Sequence, residues 1–473
     1  MIPGTRRFKD PARAVTEPQP AAGGFRAALG ELFPMPPEAP TRAWGPRALS
    51  VAVQVAAVGI AALVMLLRIP GLPSWDTIYA EDYWEFLTQA IAQPWHVFIG
   101  HNGYLQFLPR VIAQFVIYLP LSQASLAFAV AGAVVAACCA LFVFHASAGH
   151  IQSVKLRALL AAALVLLPAA PMEVIDSGVN SPWYLLPALF WAAVWRPRTR
   201  AGMALAAVLA FVTVFSNILG ILLVPVLAVR LYVLRRPREH AVTAGWLAGC
   251  LAQVPFVISG YQGDSRLTRH ATPGQSLAFY GHNVLLPSFG WHMSWWLRSF
   301  AGINGATVLV TAVLAVIFGV ILATQVRARA FVVTALVTGF ISAVGGITLN
   351  GQLATAPLLP AEQPGSRYTV LPLFLIVSAV IVGADCALRR RAPGHRRAGT
   401  GLKPAVAVTA LVAVLAATWA VDFRDAGWRS GWSWTWAPIA AKWEHDCAHS
   451  RTGEIVEKAG ASYQTLPCRN ITQ

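Results

Sequence analysis

Apolar runs long enough to cross a bilayer constrain this chain more than any other feature of it. A membrane helix needs about 20 predominantly apolar residues. Such runs recur near 48–67, 121–145, 157–172, 180–195, 201–217, 218–234, 242–259, 304–323, 330–349, 368–388 and 404–421. With 56% of 473 residues hydrophobic, only 12% charged and a mean hydropathy of +0.58, the chain lies outside the soluble globular range. The expected fold is an all-α polytopic membrane protein of about 11 transmembrane helices.

Residues 1–47 carry scattered arginines and a Pro-rich tract without an apolar signal core, and read as a disordered cytoplasmic tail. The multi-spanning domain then covers 48–421, with 68–120 as its first extracytoplasmic loop, and 422–473 form a short extracytoplasmic segment. Short basic loops ("KLR", "RPRTR", "RLYVLRRPRE", "VRAR", "RRRAPGHRR") set this orientation. Together with the tail and Lys403 they hold 24 of the 36 Lys and Arg residues, which belong on the cytoplasmic side. A net charge of +16 spread over such loops is topological and argues against a nucleic-acid partner.

Cys138, Cys139, Cys250 and Cys386 fall in apolar runs and read as small buried side chains. Cys447 and Cys468 fall in the outer segment. There a disulfide would close a loop of about 20 residues and contribute on the order of 3 kcal/mol.

The loop 68–120 is neither a plain loop nor a clear span. Residues 81–93 have amphipathic helical spacing. Residues 104–119 ("YLQFLPRVIAQFVIYL") are apolar with Gln106, Arg110 and Gln114 four apart, a polar stripe suited to an interfacial helix. The stretch "WDTIYAEDYWEF" adds Asp76, Glu81, Asp82 and Glu85 among aromatic rings. Further outer polar stretches are "EVIDSGVNSPWYL" (173–185), 260–303 with Asp264, Arg266, Arg269, His270, His282 and His292, and "EQPGSRYTVLP" with Glu362, Arg367 and Tyr368. The middles of the spans hold essentially no ionisable group, which disfavours an ion-coupled transporter. The three histidines lack a compact ligand spacing for zinc.

This layout resembles the GT-C glycosyltransferases, integral membrane enzymes that use polyprenyl-phosphate-linked sugars on the extracytoplasmic side. "AEDYWEF", with Glu81 and Asp82, stands where that superfamily carries an acidic pair after the first span. "HNGYLQFLPR" then leads the second interfacial helix, and "NSPWYLLP" and "SRYTVLP" resemble segments of large bacterial GT-C-like proteins. Where a small residue is expected after the acidic pair, this chain has Tyr83 and Trp84. The resemblance implies a donor of the polyprenyl-phosphate-sugar class and an envelope glycan, lipid or protein as acceptor. It also implies substrate contacts from His101, Asn102 and Tyr104, from Asn180, Trp183 and Tyr184, and from Tyr368.

Inverting sugar transfer needs a carboxylate to take the acceptor's proton. Asp82 is the first choice, with Glu81 as its partner or as ligand to a divalent metal (Mg or Mn). Growing charge on the leaving phosphate calls for a fixed cation, and Arg110 and Arg367 are placed for that. Each residue also has a plainer reading. Trp and Tyr at span ends form interfacial belts in any membrane protein. Arg367 can equally pair with Glu362 or a lipid phosphate, and Glu81 and Asp82 can end a solvated loop. A flippase of lipid-linked glycans and a non-catalytic envelope scaffold remain as alternatives.

Overall fold

The computed structural model of the protein describes residues 24–37, 47–68, 73–166, 173–261, 270–350, 366–389, 404–423, 433–459 and 462–471. Asp264, Arg266, Arg269 and Glu362 lie outside them.

In chain order the helices are α1 (Phe25–Gly30), α2 (Arg47–Leu66), α3 (Thr88–Ala92), α4 (Phe107–Val116), α5 (Ala124–Ala146), α6 (Val154–Leu166), α7 (Pro182–Val194) and α8 (Arg200–Ser216). They continue as α9 (Val224–Val233), α10 (Ala241–Tyr261), α11 (Pro273–Tyr280), α12 (Trp291–Thr324), α13 (Arg329–Leu349), α14 (Val370–Arg389), α15 (Pro404–Asp422) and α16 (Trp436–His449). Three antiparallel two-stranded ladders join β1 (Thr77–Tyr79) to β4 (Ser433–Thr435), β2 (Gly100–His101) to β3 (Tyr104–Leu105) and β5 (Glu454–Ala459) to β6 (Ser462–Pro467).

The chain is an α-helical membrane protein. Every apolar run of the sequence contains a helix, and five helical stretches among the described residues are long and apolar enough to cross a bilayer: Leu121–Gly149, Pro237–Ser259, Trp291–Thr324, Val326–Leu349 and Arg367–Arg389. α2 and α15 have 20 and 19 residues, and the remaining apolar helices are shorter. α4 has ten residues, about 15 Å, roughly half a bilayer crossing.

Burial separates the helices into centre and rim. α7 is apolar all round and every one of its residues is buried, as is α14 from Val370 to Cys386. Helices of that kind can sit only inside a bundle. α10 and α12 are mostly exposed along their candidate spans, as rim helices facing an apolar solvent are. α8 and α10 approach closely: a Cβ on Gly245 would lie 2.1 Å from the Ala207 carbonyl oxygen, and one on Gly249 2.9 Å from that of Phe211. Small residues let helix backbones meet this way in membranes.

The two ends of the bundle differ. At one end Arg196 pairs with Glu239 (2.6 Å) and Arg389 with Asp385 (2.8 Å), whose carboxylate also accepts from the backbone N–H groups of Gln152 and Ser153. Residues 24–37, expected as part of a disordered tail, fold against this end. Leu32 and Phe33 are buried, and Arg26, Arg196 and Arg198 donate to the carbonyls of Val233, Phe33 and Pro36. At the other end lie 73–106, 173–181, 366–368 and 433–471. α5 runs between the two, with Gly149 against Pro34 and Leu121 accepting the Trp436 indole N–H.

Candidate active site

The helix over 80–92 carries the acidic residues. Tyr83, Phe86, Leu87, Ala90 and Ile91 recur at helical spacing and are buried, which fixes the face that packs inward. Residues Asp82–Leu87 form a π-turn. Such turns occur mostly as single-turn bulges within helices, and here Asp82 is buried beside Tyr83.

Asp82 is 1% exposed. Its Oδ2 accepts from Ser177 Oγ (3.0 Å) and the Gly178 N–H (3.0 Å), and its Oδ1 from the Val179 N–H (2.6 Å). The reason lies in 173–181, an irregular segment buried throughout. Irregular backbone that is buried must find partners within the protein, and Asp82 supplies those of the Gly178 and Val179 N–H groups. The Asn180 amide donates to the Glu173 carbonyl (2.7 Å), and Ser74 Oγ donates to Asp176 Oδ2 (2.5 Å). The sequence reading made Asp82 the reacting base. Its geometry makes it a buried hydrogen-bond acceptor that ties the acidic helix to this segment.

Glu81 is more open than Asp82. Its side chain is 21% exposed and lies 3.7 Å from the Arg367 guanidinium. Arg367, in the 3₁₀ turn Ser366–Thr369 before α14, also lies 3.9 Å from the buried carboxylate of Glu173 and 3.5 Å from Asn180 Oδ1, and its backbone N–H donates to Glu173 Oε2 (3.0 Å). Glu81, Glu173 and Arg367 thus form a triad of two carboxyl groups and one guanidinium. The guanidinium lies within ion-pair distance of both carboxylates. Among the described residues no three His, Cys, Asp or Glu side chains converge on a metal position. Burial, with Glu173 beside it, pushes the Tyr79 phenol above its ordinary value.

A second cluster adjoins the first. Asn102 and Gly103 have positive φ (53° and 84°) and make the two-residue turn that joins β2 to β3, the conformation Asn-Gly favours in a hairpin. The turn sets His101 opposite Tyr104. His101 Nδ1 lies 3.0 Å from Glu85, which also accepts from Gln89. β3 is pinned to the bundle by Gln253 of α10, which accepts from the Leu105 N–H (3.0 Å) and donates to its carbonyl (2.8 Å). Burial opposes ionisation of Glu85, but the His101 hydrogen bond and the nearby His101 and Arg110 charges outweigh it and hold this carboxyl below the usual range. Arg110 is 3% exposed, donates to Gln89 Oε1 (2.6 Å) and lies over the Phe86 ring. Burial pushes it down to about 10 against the pull of Glu85. Its Nε and Nη2 have no partner among the described residues. Arg110 and Arg367 therefore belong to two different clusters.

The remaining candidates divide by burial. Tyr368 packs edge-on against Trp183 (4.8 Å) and accepts from Asn350 Nδ2 (3.1 Å). With His101, Asn102 and Tyr104 it is partly open. Asn180 is buried and acts on Glu173 and Arg367. Tyr184 is buried, with Arg68 and Asp176 as its charged neighbours.

The C-terminal segment roofs the acidic helix. β4 pairs with β1, and the rings of Trp434, Trp436 and Trp443 surround Tyr83 at 5.7–6.1 Å. Glu457 accepts from Tyr83 Oη (3.1 Å), Lys442 Nζ (3.0 Å) and Trp443 Nε1 (3.1 Å), and Asn470 Nδ2 donates to the Ile91 carbonyl. This contact explains the two large residues after the acidic pair: Tyr83 and Trp84 are the floor on which the segment sits. Cys447 and Cys468 are joined by a disulfide that links α16 to the end of the β5–β6 hairpin. Glu173 and Glu85 were legible as outer carboxylates, but nothing local marked either as a partner of Arg367 or His101.

Comparison of the chain with family models, with curated proteins and with solved structures gives no match.

Proposed function

We propose that the protein is an inverting glycosyltransferase of the membrane. It would move a sugar from a polyprenyl-phosphate carrier to a cell-envelope acceptor at the end of the bundle that holds Glu81, with Glu81 as general base. The observation that carries this reading is the Glu81–Arg367–Glu173 triad: a partly open carboxylate, fixed by a guanidinium and a buried second carboxylate, beside a hairpin with partly open polar side chains. An acceptor hydroxyl lying against Glu81 would lose its proton there as it attacks the anomeric carbon. Holding donor and acceptor against this rim would supply much of the rate. Arg110, whose Nε and Nη2 have no partner among the described residues, is the better of the two arginines for the departing phosphate. Arg367 already faces two carboxylates.

The basic end, with the N-terminal residues, faces the cytoplasm in this reading, and the acidic end faces outward. Eleven crossings would place the termini on opposite sides. α5 and α7 contain no Asp, Glu, Lys or Arg, nor does α14 between Val370 and Ala384. That supports chemistry at the rim over transport through the middle.

The test is sugar transfer from a panel of polyprenyl-phosphate sugars by purified protein in liposomes, together with envelope glycans from cells with and without the chain. Loss of a glycan and transfer by wild type but not Glu81→Gln supports the reading. Movement of intact lipid-linked glycan across the liposome without transfer would favour a flippase. Loss of envelope integrity with neither activity would favour a scaffold. A chelator that abolished transfer would return a metal to Glu81.

A further inference from the structure

α12 is too long for the membrane it enters. Its 34 residues would extend about 51 Å as one straight helix, against a hydrocarbon thickness of about 30 Å. It is broken at Gly302, whose backbone (φ 65°, ψ 172°) is non-helical and lies in a region essentially reserved for glycine. The part after the break, 303–324, is about 33 Å long and suffices to cross. The part before it, 291–301, is a separate helix.

That first part begins at a fixed corner. Asp422, at the end of α15, accepts from the Trp291 and His292 N–H groups (2.5 and 3.2 Å) and lies 2.7 Å from His292 Nδ1. Ser294 Oγ bonds back to the Leu286 and Gly290 carbonyls, and Leu297 packs on the core. The opposite face is left bare: Trp295 is 66% exposed, Trp296 54% and Phe300 73%. The bare face runs on past Gly302 into exposed Val308, Leu309, Val313, Val316 and Val320, the rim of a candidate span. Arg298 is the one Asp, Glu, Lys or Arg of the whole helix.

We infer that 291–301 is a lipid-surface anchor: an interfacial helix that places Trp295, Trp296 and Phe300 at headgroup level, hinged at Gly302 to the crossing helix 303–324. The occupant of the bare aromatic face is the bilayer interface. The lipid-facing side of 303–324 continues directly into it, Trp is favoured at that depth, and a helix with one cation and no anion suits an anionic headgroup layer. The anchor lies at the same end of the bundle as Arg367. α11, which leads towards it, bonds the end of α13 through Ser276 and Thr348, and Asn350 after α13 bonds Tyr368. A lipid-linked substrate would therefore meet the acidic rim beside a helix already seated in the leaflet that carries it. The inference itself needs only the membrane, not the sugar-transfer reading.

Two measurements test it, both in liposomes of neutral and anionic phospholipids. With Cys138, Cys139, Cys250 and Cys386 replaced by Ala, a nitroxide is attached at Phe300→Cys, at Val316→Cys in the crossing helix, or at Tyr463→Cys on the C-terminal hairpin. Power saturation then compares collision with oxygen and with a water-soluble nickel chelate. The Phe300 label should favour oxygen as the Val316 label does, and less deeply. A Phe300 label that behaves like the Tyr463 label, or one shielded from both quenchers by protein or a second copy, overturns the inference. The second measurement uses the native cysteines: brominated phospholipids should quench more tryptophan emission in wild type than in Trp295→Phe/Trp296→Phe. Equal fractional quenching in the two proteins would also overturn it.

Discussion

Asp82→Asn separates the two roles open to a carboxylate at the start of the acidic helix. Ser177 Oγ and the Gly178 and Val179 N–H groups all donate to Asp82, and both of its carboxylate oxygens accept. An amide of the same shape keeps one oxygen and turns its NH₂ towards a donor. A hydrogen bond to a charged group contributes about 1.5–3 kcal/mol, and a buried donor left unpaired costs about 1–3 kcal/mol. The substitution should therefore cost about 2–5 kcal/mol. Glu81→Gln, by contrast, weakens a long ion pair of 3.7 Å and leaves Arg367 beside Glu173, so it should cost less. The assay is the thermal unfolding midpoint of each purified variant in the same detergent, followed by tryptophan fluorescence. Asp82→Asn should melt well below wild type and Glu81→Gln close to it. An Asp82→Asn protein with the wild-type midpoint but no activity would refute the reasoning and make Asp82 the reacting base.

Gly178→Ala should mimic that destabilisation, because its Cβ would lie 2.6 Å from the Phe128 ring and 3.0 Å from Asp82 Oδ1; the same melting assay reads it. Removing the disulfide as Cys447→Ser/Cys468→Ser should cost the C-terminal segment about 3 kcal/mol, seen as faster proteolysis of residues after Trp443 while α5 and α7 stay intact. Tyr83→Phe removes one hydrogen bond to Glu457 and should cost about 1 kcal/mol in the same experiment. Because the carboxyl of Glu85 is depressed in the folded protein, its contribution is complete above the unfolded value of about 4.3 and is lost as the pH falls through the lower folded value. Between about pH 5 and 3 the wild-type midpoint should thus fall more steeply than that of Glu85→Gln; parallel curves would remove Glu85 from the account.

What was legible in the sequence was local. The amphipathic spacing of 81–93 announces its helix, and the apolar runs announce theirs. What was hidden is set by partners far along the chain. Asp82 reads as a free carboxylate until Ser177–Val179 are seen around it. Tyr83 and Trp84 read as anomalies until Trp434, Trp436 and Trp443 arrive from the other end of the chain. Gln253, a neutral side chain inside a span, gave no sign that it pins β3. The length of α12 was equally hidden, because its aromatic start and apolar body look like an outer loop and a span until Gly302 shows how one helix becomes two.

Sugar transfer by Glu81→Gln tests the central claim most directly. Wild type and variant, matched for unfolding midpoint, are placed in liposomes with polyprenyl-phosphate sugars and envelope acceptors, and transferred sugar is counted over time. The account predicts transfer by wild type and a fall of about 10²–10⁴-fold in the variant, the usual contribution of a positioned general base. Equal turnover in both proteins, in an assay where wild type transfers sugar, would contradict it.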